Sequence, residues 1–163
     1  MSEPRTIPAP AAAEVELRSS FDPVTQPQLL DGVIGKRFVA FLVDATIISI
    51  LTALAWAAIG ILGILTLGLA WFVIPIAFPA VALGYNALTI GGPKSATIGQ
   101  RWMGLEMRMW NGGKVSPLIA AFHALLLWFS LVIFFPILLW CLFDSQKRCL
   151  HDILAGVLVV NRP

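Results

Sequence analysis

The stretch VIGKRFVAFLVDATIISILTALAWAAI, Val33 to Ile59, decides the fold. Lys36 and Arg37 stand near its start, Asp44 is its last charge, and no charged residue follows from Ala45 to Pro93. A helix needs about 20 predominantly apolar residues to cross a bilayer, and this segment supplies them. A second charge-free stretch runs from Val115 to Phe143. Across the 163 residues, 58% are hydrophobic and 12% charged, and the mean hydropathy is +0.86. Soluble domains are about a quarter charged. The two long uncharged stretches cannot cover a surface facing water, so lipid is the expected solvent.

The expected fold class is an all-α membrane protein, a small helical bundle of about three hydrophobic segments. The first span is read over 33–59, with Gly60 and Gly63 marking a tight turn. The second is read over 65–88, where Pro75 and Pro79 are expected to kink the helix. Trp56 and Trp71 near the turn, and Tyr85 and Trp102 at the other end, fit an aromatic belt. The third segment is read over 117–143 and contains Pro136. Residues 1–30, interrupted by Pro4, Pro8, Pro10, Pro23 and Pro27, read as a disordered tail. The membrane domain is taken as 31–160, with 161–163 as its C-terminal end. No cleavable signal peptide is expected, because the first apolar run begins near Phe38 and exceeds an h-region in length.

Between the second and third segments lies a polar loop, residues 91–115, carrying Lys94, Arg101, Arg108 and Lys114. Thr97 to Met103 reads as a short interfacial helix. Leu105 to Ser116 reads as a β-hairpin turning at Asn111-Gly112-Gly113, and Val157 to Val160 as a short C-terminal strand. Basic residues place the N-terminal tail and this loop on the cytoplasmic side of a bacterial inner (cell) membrane. The side of the C-terminus is divided. The length of 117–143 favours one crossing, which sends the C-terminus outside. Lys147, Arg148 and Arg162, and pairing of Val157 to Val160 with Leu105 to Met109, favour the inside. A re-entrant segment broken at Pro136 satisfies both; length tips the reading toward one crossing.

The net charge of +2 and pI near 8.8 fit juxtamembrane orientation signals, and no nucleic-acid partner is expected. Cys141, Cys149 and His151 fit no standard zinc spacing, so no metal and no cofactor are expected. The chain lacks a Gly-x-Ser-x-Gly elbow, a phosphate loop and a His-Glu-x-x-His pattern, so no catalytic residue is assigned. His151-Asp152 has the makings of an acid–base pair but no accompanying nucleophile.

Asp44 is the most informative residue. A carboxylate at the centre of a membrane helix costs about 2.5–3.5 kcal/mol on insertion scales, and even a shallower one requires a partner. Arg37, seven residues earlier, lies on the same helical face about 10 Å away along the axis. The two side chains can meet, or each can bind a group from another helix. An ion site and a structural pair both remain open on these residues alone. His123, inside the third segment, reads first as a helix–helix hydrogen bonder and second as a proton carrier.

Three motifs resemble the RDD family of bacterial membrane proteins, named for one arginine and two aspartates. GKRFVAFLVDATII carries Arg37 and Asp44, TIGQRWMGLEMR follows the second segment, and FDSQKRCLHDILAGVLVV supplies His151-Asp152 before a Leu-Ala-Gly run. The likeness covers residues 31 to 160. Asp152 is the better match to the second aspartate and Asp144 the alternative. Gln100 stands where a lysine is usual. The resemblance implies transport of ions or small ligands, including cation–proton exchange. On that reading Arg37 and Asp44 line a pathway and Asp152 gates or completes it near the cytoplasmic face, with Asp144, His151 and His123 as secondary candidates. Three spans are few for enclosing a path, so a homo-oligomer or a membrane protein partner is expected. The alternative is a non-transporting accessory or scaffold subunit in which the same charges hold the segments together.

Overall fold

The computed structural model describes residues 26–133, 139–144 and 146–162. Helix α1 spans Val33–Leu65, entered through Gly32 at φ 62°. Its 33 residues extend about 50 Å, more than the roughly 30 Å hydrocarbon core. The turn predicted at Gly60 and Gly63 lies later, because α1 runs through both glycines. In an apolar solvent the helical backbone bonds have no water to compete with them, and the Trp71 indole and Thr66 hydroxyl add to the Gly60 and Gly63 carbonyls without breaking the helix. Gly63 instead makes room for an indole ring, since a Cβ there would lie 1.8 Å from Trp71 Nε1. Thr66 makes the real turn: its hydroxyl donates to the Leu62 carbonyl at 2.8 Å and accepts from the Ala70 N–H at 3.1 Å. Gly68 follows at φ 94°.

A 3-10 turn, Leu69–Val73, leads into α2, Ile74–Ile90. Pro75 lies in the first turn of α2, where its missing N–H is not needed, so it begins the helix instead of kinking it. Pro79 lies inside. Trp56 Nε1 donates to the Ile74 carbonyl at 3.3 Å, which puts that indole at the turn end as expected. Tyr85 departs from the belt, because it is buried with its hydroxyl on Asp44.

The predicted interfacial helix is α3, Ile98–Trp102. Strand β1, Leu105–Met109, follows it. The expected hairpin is reduced to one bridge, Arg108 to Lys114. The main partner of β1 is β2, Val157–Asn161, antiparallel with Leu105 opposite Asn161 and Met109 opposite Val157. Helix α4 covers Pro117–Ile133, α5 Trp140–Phe143 and α6 Leu150–Ala155. The β1–β2 ladder corrects the one-crossing reading, since it holds the C-terminal strand at the same end of the molecule as the 91–115 loop. Pro136, the expected break, lies outside the described residues, as does the expected tail up to residue 25. The end of that tail is structured. Pro27–Leu30 forms a 3-10 turn, and Leu29 packs on Leu158 and Val160 of β2.

Two stretches, Pro27–Leu65 and Leu69–Ile90, are long and apolar enough to cross a membrane, with only 11% and 17% of their most apolar windows buried. The core helix of a soluble protein would be mostly buried, whereas these present Phe38, Leu54, Ile64 and Phe72 outward. The fold is that of a helical membrane protein carrying a small two-stranded sheet. Among the described residues, the third segment contributes an apolar helix over Pro117–Val132. The packed core sits at one end. Val33 of α1, Ile90 of α2 and Ala120 of α4 close on Leu105, Met107, Val157 and Val159 of the sheet.

Met107→Ala should therefore destabilise the fold by about 2–5 kcal/mol, as truncations in a packed core do. Leu54→Ala on the outward face should change stability by less than about 0.5 kcal/mol. Thermal unfolding in detergent, followed by tryptophan fluorescence, distinguishes the two.

Candidate functional site

Val33, Arg37, Ala40 and Asp44 recur at helical spacing and share one face of α1. Val33 and Ala40 are buried. The two charges on this face are seven residues apart and do not pair; each binds a different element.

Asp44 accepts from three donors: the Tyr85 hydroxyl at 2.6 Å, the Thr97 hydroxyl at 2.6 Å and the Gly99 N–H at 2.9 Å. Thr97 is also the N-cap of α3. Its hydroxyl accepts from the Gln100 N–H at 3.1 Å, and Gln100 Oε1 accepts from the Thr97 N–H at 2.9 Å. This reciprocal capping box gives Gln100 a role that a lysine, having no acceptor, cannot fill. Gly99 permits the close approach. A Cβ there would stand 2.2 Å from the Ala40 carbonyl and 2.9 Å from the Asp44 carboxyl. Asp44 thus docks α3 onto α1, with its hydrogen-bonding capacity largely used.

Arg37 faces the second carboxylate. Asp152 is fully buried, at the third position of α6, where its Oδ2 accepts from the Cys149 N–H at 2.9 Å. The same oxygen takes the Arg37 guanidinium, which also donates to the Lys147 carbonyl at 3.1 Å. The other oxygen, Oδ1, lies 2.7 Å from His123 Nε2 and 3.5 Å from His151 Nε2. The sequence contains two histidines, and both meet at this carboxylate, with ring centroids 5.0 Å apart. Burial alone would raise the Asp152 pKa. The Arg37 charge and the His123 hydrogen bond outweigh it and hold the carboxyl well below its usual range. Burial lowers His151 to about 4, against partial opposition from Asp152, so the imidazole is neutral at pH 7. A surface pocket of about 220 Å³, lined by Trp110, Arg148, Asp152, Ile153, Gly156 and Val157, opens beside the cluster.

Of the residues singled out from sequence, Arg37, His123, His151 and Asp152 come together from α1, α4 and α6. Asp44 stands apart from them in its own network. Asp144 is separate as well, paired with Arg148 at 3.1 Å across one helical turn's spacing. Hydrogen bonds from Arg148, against some burial, lower its pKa. Tyr85, Thr97 and Gly99 were missed as Asp44's partners. The Thr97-x-x-Gln100 spacing is a readable capping signal, but nothing local points it at Asp44. Chemically, the cluster sets one carboxylate oxygen beside two imidazole nitrogens. Among the described residues, His123, His151 and Asp152 offer ligand atoms all within 4.8 Å of one another.

A family model described as RDD family matches residues 32–156. No curated protein and no solved structure matches the chain.

Asp44→Ala leaves three donors without their acceptor, at about 1–3 kcal/mol for each one that stays buried. Its thermal midpoint should drop well below that of Asp44→Asn, which retains one oxygen. A second expectation concerns pH. His151 has a folded pKa below the ordinary 6.5, at about 4, so the unfolded chain binds the proton more readily. This contribution is complete above about pH 6.5 and fades as pH falls toward about 4. In chelator-treated protein, the midpoint should fall between pH 7 and pH 5, and His151→Gln should flatten that slope.

Proposed function

We propose that this chain, which belongs to the RDD family, is a membrane protein of ion transport, of the cation–proton exchange type, with the Arg37–His123–His151–Asp152 cluster as its binding centre. The observation that carries the reading is the meeting of a buried carboxylate, a guanidinium and both histidines where α1, α4 and α6 join. Buried ionisable groups that bias one another's protonation concentrate at functional sites. The pocket beside Asp152 supplies an approach from the polar end of the molecule. We place that end, with the N-terminal tail, the 91–115 loop and the C-terminal strand, on the cytoplasmic side of a bacterial inner membrane. The lysines and arginines gathered there support that orientation. The apolar helices among the described residues are too few to enclose a path, so copies of the chain or a membrane partner complete it.

Asp44 favours the second reading, a non-transporting accessory or scaffold subunit. Its carboxylate holds α3 against α1 through three donors, which is an anchoring task. In the transport reading Asp44 is therefore a support, and the pathway role passes to Asp152 and the histidines.

Proton and cation flux in vesicles containing the purified protein tests this. His123→Gln should reduce flux to background while the protein remains folded, and Asp44→Asn should act mainly on the amount of folded protein. Background flux from the parent protein, with one stoichiometric partner retained in mild detergent, would establish the scaffold reading instead.

A further inference from the structure

We propose that His123, His151 and Asp152 bind one divalent ion of the zinc, cobalt or nickel kind. This proposal names the cargo class of the transport reading above and rests on that reading for its biological direction, though not for the binding itself.

Three observations support the site. The first is the donor set. Two imidazoles and one carboxylate oxygen suit borderline first-row cations, whereas calcium and magnesium prefer all-oxygen shells. The second is geometry. The three ligand atoms lie within 4.8 Å of one another, with Asp152 Oδ1 at 2.7 Å and 3.5 Å from the two imidazole nitrogens. Ligands about 2.0–2.2 Å from a tetrahedral zinc stand about 3.3–3.6 Å apart, so small side-chain rotations suffice. Asp152 Oδ2 is engaged by Arg37 and the Cys149 N–H, which leaves Oδ1 toward the histidines.

The third observation is independent of the first two. The Nδ1 atoms of His123 and His151 are both buried without a hydrogen-bond partner. A neutral imidazole carries one donor and one acceptor, and such groups are seldom left unpaired in a protein interior. Hydrogen bonding within the protein therefore does not complete this cluster. Each ring therefore turns Nε2 to the carboxylate and keeps a buried Nδ1 that nothing in the protein satisfies.

No local spacing announces this donor set, because His123 and Asp152 are 29 residues apart in the chain and stand on different helices. It differs from the cysteine-containing set of Cys141, Cys149 and His151. Arg37 sets the strength of binding. Its charge already balances Asp152, so a divalent ion leaves the buried site positive. That favours weak, reversible occupancy, which suits a carried ion better than a structural one.

The test uses the full chain in detergent, stripped with chelator. Zn²⁺ is titrated by calorimetry and Co²⁺ by its visible absorption. One ion per chain should bind, and Mg²⁺ should not compete. His123→Gln and His151→Gln should each weaken binding by at least about tenfold, the lower bound for loss of even a supporting group around a metal. Zn²⁺ should also raise the thermal midpoint of the parent protein, a readout that needs no variant. Absence of that rise, or binding that survives both histidine substitutions, would overturn the site. Zn²⁺ binding without Zn²⁺ flux in vesicles would retain the site and remove the transport reading. Flux of protons or other cations without Zn²⁺ binding would do the reverse.

Discussion

An ionised carboxylate without water contact must find its solvation in the protein, and the placing of Asp152 follows from that requirement. Moving a bare carboxylate into a low-dielectric interior costs several kcal/mol even after relaxation. Asp152 meets the demand with a guanidinium, a backbone N–H and the His123 imidazole, with the His151 ring 3.5 Å away. These donors come from three segments far apart in sequence. Satisfying one carboxylate therefore fixes the start of α1, the first half of α4 and the first turn of α6 relative to one another. Removing Arg37 would leave that charge uncompensated, so α1 and α6 are tied through this one pair.

The rest of the molecule divides between two solvents. Along most of α1 and α2 the apolar side chains face outward, where lipid can take them. At the polar end the arrangement inverts, and Val33, Ile90, Leu105, Met107 and Val159 pack inward as in a soluble domain. Small residues mark the boundary. Ala40 and Gly99 let backbones touch, so the Asp44 network sits where helix and loop come close.

Much of this was legible in the residues. The charge-free runs pointed to the long helices, since a segment of that length without a charge has no face to offer water. Val157 to Val160 was readable as a strand from its β-branched composition, whereas its pairing with Leu105 to Met109 stood only as one argument for an inside C-terminus. The turn at Gly60 and Gly63 was misjudged, because glycine signals a turn chiefly where water competes for the backbone. The side of the C-terminus was misjudged because segment length was weighed above basic residues and strand pairing. For the site, the shared face of Arg37 and Asp44 follows from helical periodicity, but their partners do not. Tyr85, Thr97 and Gly99 for one charge, and His123 and Asp152 for the other, depend on how distant segments return. No local pattern encodes that return.

The ladder between β1 and β2 has a bearing on how the protein is made. A ribosome adding about 5–20 residues per second delivers Val157 some seconds after Leu105. During that interval the first strand has an open edge, and Arg37 lacks its carboxylate. The nascent chain must hold two apolar helices in the bilayer while its polar crown is unfinished. Maturation is then a late, single closure, in which the sheet edge and the buried charge are sealed together when the distal strand arrives.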